Sequence, residues 1–339
     1  RIWFLPKGLK AAVVMTGDDH AGQGATTVSR FNRYRTQSTS NSPEAVANWD
    51  AVRATSYVYP GANITNNDVL LAQQDGFEVG LHLNTNCQNF TDTSWLNFWN
   101  TQSATLKGQL PGMLDQRSNR THCIAWSDFS TQAKKEADEG VHLDVNYYYW
   151  PGSWINDRPG LFTGSGMPMR FSDSLGTLID CYQVATQLTD ESDQSVGKHV
   201  TALLDSAIGT PGYYGVFCAN MHTDNTNPAS VAGSDMIVAE AQARKVPVIA
   251  ARQLLDWLDG RNGSSFKNMV WDSTRLTFNI AAASGSKNMR AMLPMYFNNK
   301  ILKQVTYGGV VIETTADNIK GIPYVFFDAT LGQGTYAAV

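Results

Sequence analysis

The sequence predicts an α/β fold in which parallel strands alternate with helices to form a barrel, followed by a small all-β module. Short, uninterrupted apolar runs alternate with segments of helical apolar spacing, as in parallel βα units that are covered on both faces. Beyond residue 260 the pattern changes to short runs rich in Thr, Val, Ile and Tyr, separated by Gly and Asn. We therefore expect a barrel over residues 1–260 and a β-rich accessory domain over residues 261–339.

The first predicted strand, residues 11–15, runs directly into a small turn and then into Asp18, Asp19 and His20. Functional groups of parallel sheets lie beyond the carboxyl ends of the strands. Two adjacent carboxylates repel each other, and a divalent metal would take one as a ligand while the other stays ionised as a base. The alternative is that both aspartates only begin the next helix, since Asp is a favourable N-cap residue.

Three more strands are predicted in the first half of the chain, at residues 77–84, 121–126 and 141–146, with helices at 66–75, within 93–116 and at 131–139. His82 lies where the second strand should end, whereas His122 lies at the start of the third strand. The polar residues 21–60 are predicted to form a long functional loop or lid with one short helix at residues 43–53.

The second half of the predicted barrel contains further apolar runs at residues 167–171, 177–184, 215–221 and 246–251, with helices at 196–208 and 234–244. Residues 259–265 have the composition of a linker. The fourth strand leads into an aromatic segment whose side chains either fill the core or stack on sugar rings. Tyr149, Trp150 and Trp154 are therefore candidate substrate contacts.

Composition excludes several classes of partner. The formal net charge is −4 and there is no run of Lys or Arg, so we expect neither nucleic acid nor a membrane as a partner. Few lysines, many Asn, Thr, Ser and Gly, and abundant Trp and Tyr favour a secreted or cell-surface protein that acts on carbohydrate. Because the chain begins at Arg1, we expect a fragment of a processed precursor. The sequence does not determine the oligomeric state.

The four cysteines, Cys87, Cys123, Cys181 and Cys218, allow three pairings. If the strands follow chain order, Cys87 and Cys123 lie near neighbouring strands, and the same holds for Cys181 and Cys218. These two bridges are favoured over four buried thiols.

The order of strand-end Asp18 and Asp19, strand-end His82 and the late His222 resembles the NodB-type polysaccharide deacetylases of carbohydrate esterase family 4. The likeness extends over residues 11–258 and implies an irregular (β/α)7-type barrel. In that family's motif T-F-D-D-G the first Asp is the base and the second binds metal, and these match Asp18 and Asp19. His82 matches the first ligand of the motif H-S/T-x-x-H, whose second histidine is replaced by Asn86 here.

Two other motifs of the family are altered. A related group of chitooligosaccharide deacetylases takes a metal-binding histidine from its third strand, which makes His122 the alternative to Asn86, and His20 is also near Asp19 in sequence. The arginine of the motif R-x-P-Y/F-G is absent, and Arg170 is a candidate replacement that would orient Asp18. A late L-x-L-H motif loosely matches residues 217–222 and supplies His222 as the acid.

The resemblance implies a metal-dependent hydrolase that removes acetyl groups from an N- or O-acetylated polysaccharide or oligosaccharide. Asp19, His82 and either Asn86 or His122 would hold a divalent metal, with Zn²⁺ expected. Asp18 would act as the base and His222 as the acid, and His20 is placed with the substrate contacts.

Two alternatives remain open. The barrel could bind glycan without catalysis. It could also be a metal-free glycoside hydrolase that pairs Asp18 with a second acid such as Asp144 or Asp173. The sequence identifies neither the sugar nor the acetyl position.

Overall fold

The computed structural model describes residues 1–22, 26–123, 125–149, 151–160, 166–224 and 228–339. The chain divides into two compact units. One, here called the α/β unit, comprises Ala11–Leu255, and the other, the β unit, comprises Arg1–Lys10 together with Asp256–Val339. The domain boundary at residue 260 stays a prediction.

The strands of the α/β unit are β1 (Ala11–Asp19), β2 (Thr55–Val58), β3 (Glu78–Leu83), β4 (Ser118–Thr121), β5 (Leu143–Asp144), β6 (Met169–Ser172), β7 (Leu178–Gln183), β8 (Thr186–Thr189), β9 (Gly215–Asn220) and β10 (Val248–Ile249). Its helices are α1 (Thr27–Gln37), α2 (Pro43–Ala47), α3 (Asn66–Gln74), α4 (Asp92–Gln109), α5 (Thr131–Asp138), α6 (Val196–Ile208) and α7 (Pro228–Ala243), after which the chain continues into α8 (Ala251–Gly263). Within the described ranges, no helix has the length and apolar character that crossing a membrane requires.

The strands of the α/β unit form one curled sheet in the order β6-β7-β5-β4-β3-β2-β1-β9-β8, and β10 also pairs with β1. The pairings are parallel except that between β6 and β7, which is antiparallel. Parallel pairing places the carboxyl ends of β1, β2, β3, β4 and β9 at one edge of the sheet. The predicted α/β class, a barrel-like curled sheet with a separate all-β module, is confirmed.

Strand β1 lies at the centre of this sheet, and all of its residues are buried. Gly17 is required because a Cβ atom there would clash with the carbonyl oxygen of Met221 and the methyl group of Thr223. The chain that follows β9 therefore packs directly against the end of β1. This close approach brings His222 next to the residues that end β1.

The β unit contains the strands β11 (Ser265–Trp271), β12 (Leu276–Ala281), β13 (Arg290–Pro294), β14 (Tyr296–Phe297), β15 (Lys300–Ile301), β16 (Val305–Tyr307), β17 (Val310–Val311), β18 (Thr314–Ile319), β19 (Ile322–Asp328) and β20 (Tyr336–Ala338). They form three antiparallel sheets, in the orders β11-β12-β20-β16-β17, β13-β19-β18 and β14-β15.

Three predictions about local structure are wrong. Residues 259–263, predicted as a linker, belong to helix α8. Residues 21–60 are more than a loop with one short helix, because they contain α1, α2 and β2. The third strand runs over residues 118–121 rather than 121–126. Its residues are polar but buried, so a search for apolar runs displaces the strand toward its carboxyl end.

One of the two predicted disulfides is present. Cys87 and Cys123 are bonded, and the bond joins the loops that follow β3 and β4. Cys181 and Cys218 are free and buried, so the prediction of a second bridge is wrong. The reason is topological, since their strands β7 and β9 are separated by β5, β4, β3, β2 and β1 in the sheet.

Candidate active site

The carboxyl ends of β1 to β4 and β9 surround a cavity of about 720 Å³. Its ionisable lining residues are Asp18, His20, Arg120, His122, Glu191 and His222. Its other lining residues are Tyr59, Asn84, Cys123, Tyr148 and Asn220. Four of the predicted site residues, Asp18, His20, His122 and His222, thus share one cavity, and the buried His82 lies directly behind it against Asp18.

Asp18 is the buried carboxylate of the cavity. Its Oδ2 accepts a hydrogen bond of 2.7 Å from the Asn220 side chain, and its Oδ1 lies 3.5 Å from Nε of Arg120. Burial raises the pKa of Asp18, but the charges of the nearby His82 and Arg120 outweigh burial and lower it to about 2. Asp18 is therefore ionised at neutral pH.

Asp19 faces away from this cavity because successive side chains of a strand point to opposite faces. Its Oδ1 accepts from the backbone N–H of Ala21 at 3.1 Å. Its Oδ2 accepts from the hydroxyl of Thr27 at 2.8 Å and from the Thr27 backbone N–H at 3.3 Å. Both carboxylate oxygens thus hold the chain that enters α1, and Asp19 is not among the described residues that line the cavity.

His82 has a fixed tautomer. Its Nδ1–H donates to the Arg120 carbonyl oxygen at 2.9 Å, which leaves Nε2 with a lone pair. Nε2 is buried, has no hydrogen-bond partner among the described residues, and lies 3.9 Å from Asp18 Oδ2. Burial lowers the pKa of His82 to about 4, so its imidazole is neutral at neutral pH.

Four imidazoles lie close together here, because the His222 ring also stacks on His20 with centroids 5.2 Å apart, and three of the four are candidate ligands. The ring centroid of His20 is 5.1 Å from that of His82 and 5.0 Å from that of His122, and the centroids of His82 and His122 are 5.4 Å apart. The early end of β4 places His122 directly after the strand, where a ligand is expected. His20 is held through its backbone N–H, which donates to Asp224 Oδ2 at 2.9 Å.

The donor set fits a transition-metal ion such as Zn²⁺. Neutral imidazoles are preferred zinc ligands, and Nε2 of His82 is a buried imidazole nitrogen without a hydrogen-bond partner among the described residues. Among the described residues, the only three ligand atoms within 4.8 Å of one another belong to Cys87, His122 and Cys123, and these sulfurs are joined in a disulfide. The three histidines therefore need a ring rotation to converge on an ion.

His222 is a second cationic group of the cavity, besides Arg120. Its Nδ1–H donates to Asp190 Oδ1 at 2.9 Å, and its backbone N–H donates to Asp190 Oδ2 at 3.0 Å. Burial lowers the pKa of His222, but the hydrogen bond to Asp190 and the charge of Asp18 outweigh burial and raise it to about 9. His222 is thus protonated at neutral pH, with Nε2 3.4 Å from Glu191.

Several predicted residues do not line the cavity. Asn86 is exposed, and Tyr149 is buried with its hydroxyl 3.2 Å from Ser192 Oγ. Trp154 is 67% exposed on a 3-10 turn, and Trp150 lies outside the described residues. Tyr59 and Tyr148 are the tyrosines that line the described part of the cavity.

The arginine beside Asp18 is Arg120 from β4, not Arg170. Arg170 lies on β6, where it pairs with Asp180 at 2.7 Å and stacks over the Tyr182 ring at 4.6 Å. Sequence reasoning missed Arg120 because the arginine motif is expected near residues 124–128 and the predicted third strand begins only at residue 121, whereas β4 begins at Ser118. The available signal was its position two residues before His122.

The acids considered for glycoside hydrolysis are also elsewhere. Asp144 is buried beside Gln132, at 3.2 Å, and Asp173 is engaged by the backbone N–H of Leu175 and Thr177, each at 2.9 Å. Neither lines the cavity with Asp18, whereas Glu191 does.

No known protein family and no curated protein matches this sequence. Among solved structures, the polysaccharide deacetylase Bc1974 from Bacillus cereus is similar at 12% identity and a TM-score of 0.40, over 70% of this chain and 91% of that chain. The catalytic domain of a peptidoglycan N-acetylglucosamine deacetylase from Eubacterium rectale is similar at 12% identity and a TM-score of 0.38, over 73% of this chain and 90% of that chain. The carbohydrate deacetylase Agd3 is similar at 10% identity and a TM-score of 0.32, over 92% of this chain and 47% of that chain. These structures share only a distant likeness in fold with this chain, so any statement about its function depends on the chemistry of the site.

Proposed function

We propose that the protein is a metal-dependent deacetylase that removes acetyl groups from an N- or O-acetylated glycan. One observation carries this proposal: the buried carboxylate of Asp18 and the imidazole of His222, which donates to Asp190 at 2.9 Å, line the same cavity. Their surroundings lower the pKa of Asp18 to about 2 and raise that of His222 to about 9, which makes the first an ionised carboxylate and the second a protonated imidazole. These are the protonation states that a general base and a general acid need at neutral pH.

Asp18 takes a proton from the attacking water. Its Oδ1 is buried and accepts no hydrogen bond from the described residues, while Asn220 holds Oδ2. Arg120 keeps the carboxylate ionised and fixes its orientation. His222 then protonates the leaving nitrogen or oxygen of the sugar through Nε2–H, and Asp190, which accepts from Nδ1–H, fixes the orientation of the ring.

His82 is the central candidate metal ligand, with His20 and His122 beside it. A divalent ion such as Zn²⁺, when bound there, supplies Lewis acidity to water and to the acetyl carbonyl group. Asp19 and Asn86, which the resemblance implies as ligands, would have to leave their present positions to take part. The bridge between Cys87 and Cys123 is consistent with an oxidising, extracellular location, which we include in the proposal.

The activity test is the release of acetate from N-acetylated and O-acetylated oligosaccharides, with new reducing ends measured in parallel. We expect acetate without new reducing ends, and a loss of about 10²- to 10⁴-fold in the Asp18→Asn variant, the usual contribution of a general base. The matched control is Asp115→Asn, because the Asp115 side chain is 91% exposed. An Asp18→Asn variant with normal turnover would remove the proposed base.

The metal test is elemental analysis of protein purified without added ions and then supplied with Zn²⁺. We expect about one equivalent, which is lost in His82→Ala and retained in His142→Ala, whose histidine contacts Asp180 instead. Retention in Asp19→Asn would restrict the ligand set to the histidines. Failure of the wild-type protein to bind any divalent ion would exclude the metal-dependent mechanism.

A second candidate function is supported by Glu191. It lines the cavity together with Asp18, and burial raises the pKa of its carboxyl group, as in the acid of a glycoside hydrolase. New reducing ends without acetate would favour this alternative. Glycan binding with neither product would indicate a catalytically silent barrel.

A further inference from the structure

Glu191 is the accessible carboxylate of the cavity. Two carboxylates, those of Asp18 and Glu191, line its described part. Asp18 is buried and is held by Asn220 and Arg120. The Glu191 side chain, in contrast, is 52% exposed. A molecule that enters the cavity can therefore meet the Glu191 carboxylate without displacing a buried group.

The backbone of Glu191 is fixed although its side chain is open. The residue follows β8, and its backbone N–H donates to Thr189 Oγ1 at 3.3 Å. The preceding residue, Asp190, donates its backbone N–H to the Asn220 carbonyl oxygen at 3.3 Å, and its carboxylate accepts from His222. Two neighbouring residues of one segment thus face the same imidazole.

The Glu191 carboxylate lies beside the nitrogen that is proposed to protonate the leaving group. Its Oε1 is 3.4 Å from Nε2 of His222, and His222 is its one ion-pair partner among the described residues. An atom that takes a proton from Nε2 must lie within about 3 Å of it. The leaving atom of a bound substrate is therefore brought close to Glu191 as well.

Glu191 is suited to act as an anion there. Burial raises the pKa of its carboxyl group, and the positive charge of His222 opposes that rise. Since half of the side chain stays exposed, water still solvates the carboxylate.

A carboxylate beside the leaving atom affects amides and esters in opposite ways. The nitrogen of an acetamide is protonated before its bond to carbon breaks, and it then carries a positive charge that a neighbouring carboxylate stabilises. The leaving oxygen of an acetate ester carries developing negative charge instead, which the same carboxylate repels. Glu191 should therefore favour amide substrates.

We propose that Glu191 is a specificity-determining residue, which selects N-acetylated over O-acetylated sugars by pairing with the positive charge that forms on the leaving nitrogen. This assignment rests on the proposed deacetylase function and names acetamido sugars as its substrate class.

Glu191 takes up no proton in this step. Water oxygen bonds to the acetyl carbon, and the water proton passes to Asp18. The sugar nitrogen takes the proton of His222, and the carbon–nitrogen bond breaks with its electron pair going to nitrogen. Acetate and the free amine leave, and exchange with solvent restores Asp18 and His222.

The test compares acetate release from N-acetylglucosamine oligomers and from O-acetylated xylose oligomers. In Glu191→Gln, the ratio of kcat/KM for the amide to kcat/KM for the ester should fall about tenfold, the low end for a hydrogen bond to a charged group. Any change in the pKa of His222 affects both substrates alike, so the ratio isolates the effect on the leaving atom.

Two variants are controls for this ratio. Glu313→Gln makes the same change at an exposed position and should be neutral in every assay. Glu191→Asp keeps the negative charge and should retain part of the preference for the amide, which a loss of shape alone would not explain.

Binding of the amine product gives a readout that does not depend on turnover. By calorimetry, the wild-type protein should bind glucosamine oligomers, which are cationic, more tightly than uncharged glucose oligomers. Glu191→Gln should lose this difference, and Glu313→Gln should keep it.

The outcomes separate Glu191 from the deacetylase function. An unchanged ratio in Glu191→Gln would overturn the role of Glu191 and leave the deacetylase function intact. If the wild-type protein released no acetate but bound glucosamine oligomers through Glu191, the deacetylase function would fail and the site for a sugar ammonium group would stand. Absence of both acetate release and this binding would overturn both. New reducing ends that disappear in Glu191→Gln would assign Glu191 to glycoside hydrolysis instead.

Discussion

The cavity has two walls that are built differently. One wall is carried by strands: Asp18, Arg120 and Asn220 line it from β1, β4 and β9, with His82 of β3 behind them, and all four are buried. The other wall is carried by the segments after the strands and includes His20, His122 and His222. The register of the sheet fixes the first wall, because each residue there is held by its neighbours on adjacent strands.

Each histidine of the second wall has an anchor of its own. His20 is held by Asp224, His222 by Asp190, and His122 is followed directly by the bonded Cys123. The strand wall is held together by the pairing of its strands, whereas each histidine of the loop wall has its own anchor, although the rings of His122 and His222 both contact His20. The rotation that would bring the three imidazoles onto an ion is available to the loop wall, since His20 and His122 are only partly buried.

The largest effect is expected from Arg120→Met, which breaks the strand wall. Asp18 would remain buried beside His82 without its guanidinium partner, and loss of one partner of a buried pair costs about 3–5 kcal/mol. The pKa of Asp18 would rise from about 2, so the destabilisation should be greatest at neutral pH and smaller under acid conditions, where Asp18 is protonated. Urea unfolding at several pH values measures both.

The control for this prediction is a double-mutant cycle. In Arg120→Met combined with Asp18→Asn, the uncompensated charge is absent, so the double variant should be more stable than the sum of the single losses predicts. Additive losses would show that Arg120 acts through Thr16 and Thr186, to which its Nη2 donates at 3.0 and 2.7 Å, rather than through Asp18.

The same comparison shows what the sequence could predict. The apolar run of β1 and the strand around His82 predicted which strand ends carry the candidate site, and Asp18, His82 and His222 lie close together there. Arg120 could not be found in this way, because the residues of β4 are polar and are buried only through partners on distant strands. A window of neighbouring residues contains no information about those partners.

For Asp19, the family motif and the strand pattern lead to different expectations. The period of two along a strand already implied that Asp18 and Asp19 point to opposite faces if the strand continues through both. The structure extends β1 through Asp19, and Thr27 occupies its carboxylate. The family motif suggested a ligand, whereas strand alternation indicated a structural residue. The paired assay of Asp18→Asn and Asp19→Asn separates the two.

A smaller effect is expected from Cys87→Ser combined with Cys123→Ser, which releases one anchor of the loop wall. The bridge closes a loop with a sequence separation of 36, and losing it should lower the free energy of unfolding by about 2–4 kcal/mol. Metal affinity should fall because His122 is no longer fixed beside His82. Cys181→Ala serves as the control, since it removes a thiol without breaking a bridge. Unchanged metal affinity in the double variant would exclude His122 as a ligand.

The smallest effect is expected from Asp190→Asn, which changes the pKa of His222 in the loop wall. Asp190 raises the pKa of His222, so the variant should lose the protonated acid at lower pH. In the wild-type protein, activity should fall as the pH rises through about 9. In the variant that fall should move toward the ordinary histidine value of about 6.5, which lowers kcat about tenfold or more near pH 8 and little near pH 5.

The matched control for this shift is Asp193→Asn, at an exposed neighbour whose φ of 53° asparagine tolerates well. It should leave the pH profile unchanged. If the activity of Asp190→Asn still falls only near pH 9, the group that titrates there is not His222, since nothing else contacts Nδ1 of His222 in the described structure. In that case Asp190 would not set the pKa of the catalytic acid, and Glu191 would be the next candidate for that acid.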